Sequence, residues 1–331
     1  MMKDFLAWGL LLTVLSSCGD KHSEFTLFSK VSSGETGVDF TNQLEYDANF
    51  NVYTYRNYYN GGGVSIGDIN NDGLVDIYLT SNLGANKLYL NQGNFSFKDI
   101  SASAGVEGTR AWSTGVTMVD VNGDSYLDIY VCNSGDVEGD NKQNELFINN
   151  GDLTFTESAE QFGLDDRGFS THASFFDYDK DGDLDAYMLN NSYQAIGSFN
   201  LRRNERPKRD SLGGDKLLRN DNGLFVDVSK EAGIYGSIIG FGLGVTIGDV
   251  NGDSWDDIYV SNDFFERDYL YINQGDGTFQ EDLTSQMKSI SGASMGADLA
   301  DINNDGYNDL FVTEMLPSNN ERLKSVTTFE N

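Results

Sequence analysis

Side chains bearing oxygen recur in this 331-residue chain at one fixed spacing. Five segments of nine residues share it: Asp68-Ile-Asn-Asn-Asp-Gly-Leu-Val-Asp76, Asp120-Val-Asn-Gly-Asp-Ser-Tyr-Leu-Asp128, Asp177-Tyr-Asp-Lys-Asp-Gly-Asp-Leu-Asp185, Asp249-Val-Asn-Gly-Asp-Ser-Trp-Asp-Asp257 and Asp301-Ile-Asn-Asn-Asp-Gly-Tyr-Asn-Asp309. Asp or Asn occupies positions 1, 3, 5 and 9 of each. The first loop offers Asp68, Asn70, Asp72 and Asp76, and the second Asp120, Asn122, Asp124 and Asp128. The third offers Asp177, Asp179, Asp181 and Asp185, the fourth Asp249, Asn251, Asp253 and Asp257, and the fifth Asp301, Asn303, Asp305 and Asp309. Alternating oxygens on a tight curl converge on one point. That suits a hard cation such as Ca2+, which takes about six to eight oxygens at about 2.3–2.6 Å. Position 7, filled by Leu74, Tyr126, Asp183, Trp255 and Tyr307, varies as expected of a residue that lends only its backbone carbonyl. The curl requires positive φ. Gly73, Gly182 and Gly306 supply it at position 6 of loops one, three and five. Loops two and four have Ser125 and Ser254 there and Gly123 and Gly252 at position 4, which predicts a curl distributed differently in those two.

A single loop of this kind reads equally well as an acidic turn, because Asp, Asn and Gly dominate turns. Five in matching form point to bound Ca2+, about one ion per loop. The EF-hand is excluded. It needs a carboxylate at position 12 and an exiting helix, whereas position 12 here is Leu79, Val131, Met188, Val260 or Val312. The residues after position 9 are β-branched and aromatic strand formers, as in Ile77-Tyr-Leu-Thr80 and Ile258-Tyr-Val-Ser261.

The elements that must position these loops recur with them. Loop starts lie 52, 57, 72 and 52 residues apart, near the period of a propeller blade. After the first four loops comes Leu88-Tyr-Leu-Asn91, Leu146-Phe-Ile-Asn149, Leu217-Leu-Arg-Asn220 or Leu270-Tyr-Ile-Asn273, then a turn and Phe97, Phe155, Phe225 or Phe279. Five residues before each loop stand Gly63, Gly115, His172, Gly244 and Gly296, small residues except in the third unit. Such residues fit a crowded inner strand. Trp112, Phe169 and Phe241 precede loops two to four by eight residues. Each unit thus holds about four strands, and the expected fold is an all-β β-propeller of four-stranded blades with a calcium loop per blade. The fifth unit has no Leu-Tyr-Leu-Asn element before Asn331, so about four and a half units are present and the propeller is expected to be incomplete. In the alternative, residues 25–58 supply the missing strands and close a five-bladed ring.

These units resemble the FG-GAP/VCBS repeats of integrin α-subunit propellers and bacterial surface proteins. The resemblance covers about residues 25–331, with units starting near 59, 111, 168, 240 and 292. Tyr59-Asn-Gly-Gly-Gly63, Trp112-Ser-Thr-Gly115 and Glu145-Leu-Phe-Ile-Asn149 further resemble long bacterial VCBS-repeat lipoproteins with an ASPIC/UnbV-type region. The resemblance implies calcium at the Asp and Asn residues of each loop. The Phe-Gly and Gly-Ala tags of the family name are only partly present, at Phe241-Gly242 and Gly296-Ala297.

Lys3 precedes an apolar run from Phe5 to Leu15 that is too short to span a bilayer and reads as a signal peptide over residues 1–17. Leu15-Ser16-Ser17-Cys18 resembles the bacterial lipobox, which implies a lipidated Cys18, a tether over residues 18–24 and a lipid-anchored place at the cell envelope. Membrane contact is expected through that lipid alone. Cys132 is the other cysteine, and in a strand context it reads as a small buried apolar residue.

The chain carries 52 acidic and 22 basic residues for a net charge of −30. Of the acidic residues, 18 lie within the five loops. The remainder still leaves an acidic surface, which argues against a nucleic-acid partner held through phosphates. A basic cluster, Arg202, Arg203, Arg206, Lys208 and Arg209, lies in the insertion at residues 192–214. It reads first as a solvated loop paired with neighbouring carboxylates and second as a contact for an anionic glycan or partner. His172 reads as a packed or hydrogen-bonded histidine, with a place on the central channel as the alternative. With His22 as the one other histidine, a His-based zinc site is excluded.

Three functions remain open: a calcium-stabilised binding or adhesion module for protein or glycan, a scaffold lipoprotein of an envelope or uptake complex, and a propeller-based hydrolase or lyase. The sequence holds no Ser-His-Asp set, Cys-His pair or nucleophile motif, which speaks against an enzyme.

Overall fold

Strands follow each nine-residue loop where β-branched and aromatic residues cluster, and each loop is the hairpin connection between two strands. The computed structural model describes residues 27–110, 112–134, 143–193, 204–263 and 266–315. The chain divides into two units, residues 1–32 and 33–331. Residues 27–32, the described part of the first, are exposed and irregular. The signal peptide, Cys18 and its tether lie outside the described residues, as do Arg202 and Arg203.

The second unit is all-β, with five sheets among the described residues. The first sheet comprises β1 (Val64–Gly67), β2 (Asp76–Leu79), β3 (Lys87–Asn91) and β4 (Phe97–Asp99). The second comprises β5 (Ser113–Val119), β6 (Asp128–Asn133), β7 (Glu145–Asn149) and β8 (Phe155–Glu157). The third comprises β9 (Ser170–Phe176), β10 (Asp185–Asn190), β11 (Lys216–Asn220) and β12 (Phe225–Asp227). The fourth comprises β13 (Gly242–Gly248), β14 (Asp257–Asn262), β15 (Tyr269–Asn273) and β16 (Phe279–Glu281). The fifth holds β17 (Ser294–Ala300) and β18 (Asp309–Glu314). Strands pair antiparallel in sequence order within each sheet, as propeller-type blades do. The register sets the last residue of the first strand opposite the position-9 Asp: Gly67 faces Asp76, Val119 faces Asp128, Phe176 faces Asp185, Gly248 faces Asp257 and Ala300 faces Asp309.

The second strand of each inner blade is buried along its whole length, as in β6, β10 and β14. Its alternating side chains serve two different cores, because successive residues of a strand face opposite sides. Ile129 and Val131 pack toward the first blade with Tyr78 and Leu88, whereas Tyr130 and Cys132 pack toward the third with Ala173, Ala186 and Met188. Tyr187 and Leu189 meet Ile258 and Val260 of the fourth blade, and Tyr259 meets Leu310 and Val312 of the fifth. Cys132 is buried and free, as its strand context predicts. Each such buried side chain stabilises by about 1.5–3 kcal/mol. Among the described residues, Val64 and Ile66 of the first blade and Phe311 of the fifth are exposed.

Residues 33–63 form no strand. They contribute a single helical turn at Ser33–Thr36 and a 3-10 turn at Arg56–Tyr59. The ring-closing alternative for this segment is therefore not realised in the described residues, and the fifth sheet stays two-stranded. The segment instead packs Phe50, Tyr55 and Tyr58 around Trp112, with ring centroids 4.8–5.3 Å from that indole.

The first strands of the five blades lie side by side, bridged by threonines. Thr114 Oγ1 donates to Ser170 O at 2.7 Å, Thr117 Oγ1 to Ala173 O at 2.6 Å and Thr246 Oγ1 to Ala297 O at 2.8 Å. This approach explains the small residue five positions ahead of the loops. A Cβ on Gly63 would lie 2.7 Å from Thr114 O and 2.9 Å from Val116 N, both backbone atoms. Gly63→Ala is expected to destabilise the protein by about 1–3 kcal/mol in denaturant unfolding. Gly296→Ala, whose Cβ would meet nothing closer than Thr313 Oγ1 at 3.9 Å, is expected to change stability little. Equal losses in the two variants would rule out crowding as the reason.

Candidate metal centre

All five loops share one backbone frame. The position-1 carboxylate closes the turn: Asp68 accepts from Asp72 N at 3.1 Å and Gly73 N at 2.7 Å. Asp120, Asp177, Asp249 and Asp301 accept from the equivalent amides. The position-3 oxygen of Asn70, Asn122, Asp179 or Asn251 accepts from the position-5 amide. The position-5 carboxylate of Asp72, Asp124, Asp181, Asp253 or Asp305 accepts from the amide of Leu74, Tyr126, Asp183, Trp255 or Tyr307. Asn303 is exposed at position 3 of the fifth loop.

Loops two and four do not curl differently from the others. Position 6 has φ of 83°, 103° and 89° at Gly73, Gly182 and Gly306, and 73° at both Ser125 and Ser254. Position 4 is also left-handed throughout, at Asn71, Gly123, Lys180, Gly252 and Asn304. The carboxylate at position 1 bonds the position-6 amide and holds the serines in a region that L-residues seldom adopt. Two non-glycine side chains at position 4, Asn71 and Lys180, reach the next loop. Asn71 Nδ2 donates to Ser125 O at 3.0 Å and Lys180 Nζ to Ser254 O at 2.7 Å, with the Lys180 ammonium 4.2 Å from the Trp255 ring centroid.

Position 9 differs in kind from positions 1, 3 and 5. Asp76, Asp128, Asp185 and Asp257 are buried. One oxygen accepts from the position-2 amide, Ile69, Val121, Tyr178 or Val250. The other accepts from the amide of Asn91, Asn149, Asn220 or Asn273 on the third strand. The Asn at the end of the Leu-x-x-Asn element is thus part of the site, a role that its repetition signalled and that its separation from the loop concealed. Asp309 keeps the first bond, from Ile302 N.

Burial pushes the carboxyls of Asp76, Asp128, Asp185 and Asp257 up, to about 6 at Asp128 and Asp257 and about 7 at Asp185, and neighbouring loop carboxylates add to the rise. The third loop is the most charged. Ligand oxygens of Asp177, Asp179 and Asp185 lie within 4.8 Å of one another. Asp183 is held up by desolvation and by Asp181, and its Oδ1 is buried without a partner. An all-oxygen, crowded and mutually repelling set of this kind fits a hard divalent cation.

Among the basic residues of the insertion that are described, each is paired. Arg206 Nε meets Glu266 Oε1 at 2.6 Å, Lys208 pairs with Glu205, and Arg209 Nη1 donates to Ile234 O. His172 makes no hydrogen bond among the described residues; it lines a cavity where the first strands meet.

The family model of the FG-GAP-like repeat matches residues 68–131, 134–188 and 249–312. Cartilage acidic protein 1 of Xenopus tropicalis is 27% identical over 186 residues, which span 55% of this chain and 27% of that protein. Integrin alpha-3 of Mus musculus is 28% identical over 119 residues, 32% of this chain and 11% of that protein. The chain thus spans about a quarter or less of the length of these relatives. A solved lectin of Agrocybe aegerita, described as recognising non-reducing terminal N-acetylglucosamine, aligns over 75% of this chain and 59% of its own at 19% identity and a TM-score of 0.42.

A carboxyl whose folded pKa exceeds its unfolded value binds its proton more tightly when folded. Its contribution is therefore lost as pH rises from the unfolded value to the folded one. In EDTA, the melting temperature is expected to fall as pH rises from about 4 to about 7, the window set by Asp128, Asp185 and Asp257. Millimolar calcium is expected to raise it most at the upper end, since an ion bound only by the folded state stabilises by mass action. A melting curve indifferent to EDTA and to calcium at neutral pH would exclude the loops as cation sites.

Proposed function

The chain belongs to the FG-GAP-like repeat family, and on that premise we propose that it is a calcium-stapled, non-catalytic binding module that recognises a protein or glycan from a bacterial cell envelope, where a lipid on Cys18 anchors it. Its repeats class it with ligand-binding, adhesion-type modules. The observation that carries the calcium reading is the repeated loop frame with three convergent carboxylates in its third copy. In each loop, Ca2+ is held by positions 1, 3, 5 and 9 and by the carbonyl at position 7. The ion neutralises charge that would otherwise repel within the loop and fixes the hairpin against its blade. The most perturbed loop carboxyls each accept two backbone amides, which ties them to the loop and to the third strand.

Calorimetric titration of the purified chain is expected to show about one Ca2+ per loop. Asp179→Ala combined with Asp181→Ala is expected to remove one site and leave the others. In a bacterial host, Cys18→Ser is expected to move the protein from the membrane to the soluble fraction. A glycan array and a pull-down from envelope extracts test recognition. No bound glycan or protein in either, with calcium present, would overturn the binding-module reading and leave the calcium sites untouched.

A further inference from the structure

The first strands of blades two to five and the segment leading into the first blade line a cavity of about 460 Å³, within the range of small-molecule sites, about 300–1,000 Å³. We infer that this cavity binds one residue of an uncharged sugar, with the His172 imidazole as its polar partner. The inference rests on the reading of the chain as a binding module and adds the place and the ligand class.

Charge is the first observation. The chain has 52 acidic and 22 basic residues, yet no Asp, Glu, Lys or Arg lines this cavity. Its walls combine the apolar side chains of Leu243 and Met295 with the amides of Asn57 and Asn60, and Tyr59 stands at its edge with an exposed ring. A sugar ring presents the matching surface, hydroxyls around an apolar face that packs on an aromatic ring. An anion or cation would find no countercharge.

His172 is the second observation. Four of the five units have glycine at this position. The third places an imidazole there, opposite Gly115. A Cβ on Gly115 would lie 2.8 Å from His172 Nδ1, so that glycine makes the room. The imidazole is half-buried, and burial holds its pKa below the usual histidine value, which keeps it neutral. It makes no hydrogen bond among the described residues. A neutral imidazole carries one donor and one acceptor, and neither is taken by a described residue. A hydroxyl of the occupant satisfies it.

The test reads the imidazole directly, because His22 and His172 are the only histidines. Full-length protein labelled with 15N-histidine is titrated, in calcium, with the methyl glycosides of glucose, galactose, mannose and N-acetylglucosamine, and with glucuronate and glucosamine as charged controls. His22→Gln assigns the two signals. At least one neutral glycoside is expected to move the His172 signals saturably, with His22 unmoved and the charged controls inert. By calorimetry, His172→Gly, which restores the residue of the other units, is expected to weaken that glycoside about tenfold or more. Met295→Trp, which fills the cavity, is expected to abolish binding. Melting curves confirm that each variant folds; if one does not, the other and the wild-type titration decide. Unmoved His172 signals with every neutral glycoside would overturn the proposal, as would undiminished affinity in His172→Gly. Array or pull-down binding that survives in His172→Gly would sink this site while preserving the binding-module reading.

Discussion

A buried carboxylate with two backbone donors is the joint on which each complete blade turns. The position-9 Asp begins the second strand, accepts one amide from the loop and another from the third strand, and so locks three elements with one side chain. Charge-assisted bonds of this kind are stronger than neutral ones, but the burial that strengthens them also penalises the ionised form. The rise in the pKa of Asp128, Asp185 and Asp257 is the mark of that conflict. On the proposed reading a cation in the loop relieves it, and metal binding is then part of the folding energetics.

The blades depend on one another through the same strands that the loops anchor. Because the second strand is buried on both faces, neither core exists without a neighbouring sheet. This is the logic of a repeat array, in which each unit leaves one face for the next to cover. The threonine bridges and the small residues on the first strands bring the blades close enough for that packing. In the first and fifth sheets, apolar residues such as Ile66 and Phe311 are exposed among the described residues.

Departures from the repeat are informative because the repeat is so regular. Lys180 takes a left-handed position usually given to glycine or asparagine and uses its reach to bond the next loop and cover Trp255. His172 replaces a glycine and opens a polar group into a cavity without charged walls. The insertion within the third blade, between its second and third strands, pairs its described cations with Glu266, Glu205 and a backbone carbonyl.

The sequence alone determined the repeat, the strands and the loop donors, because each of these is local. Runs of β-branched and aromatic residues and a fixed Asp spacing survive without knowledge of the fold. Thus the hairpin role of the five loops, the crowded first strand and the buried Cys132 were legible from residue types and spacing. What needed the tertiary structure was whatever depends on atoms distant in sequence. The bond from Asn149 to Asp128 spans a hairpin that only pairing brings together. The left-handed φ of Ser125 and Ser254 was hidden because propensity disfavours it, and the Asp carboxylate that enforces it acts through geometry. The room for the His172 imidazole depends on a glycine 57 positions earlier in the chain. Residue spacing specifies which groups are available; the packing of blade against blade decides which of them are buried, which are satisfied and which face a ligand.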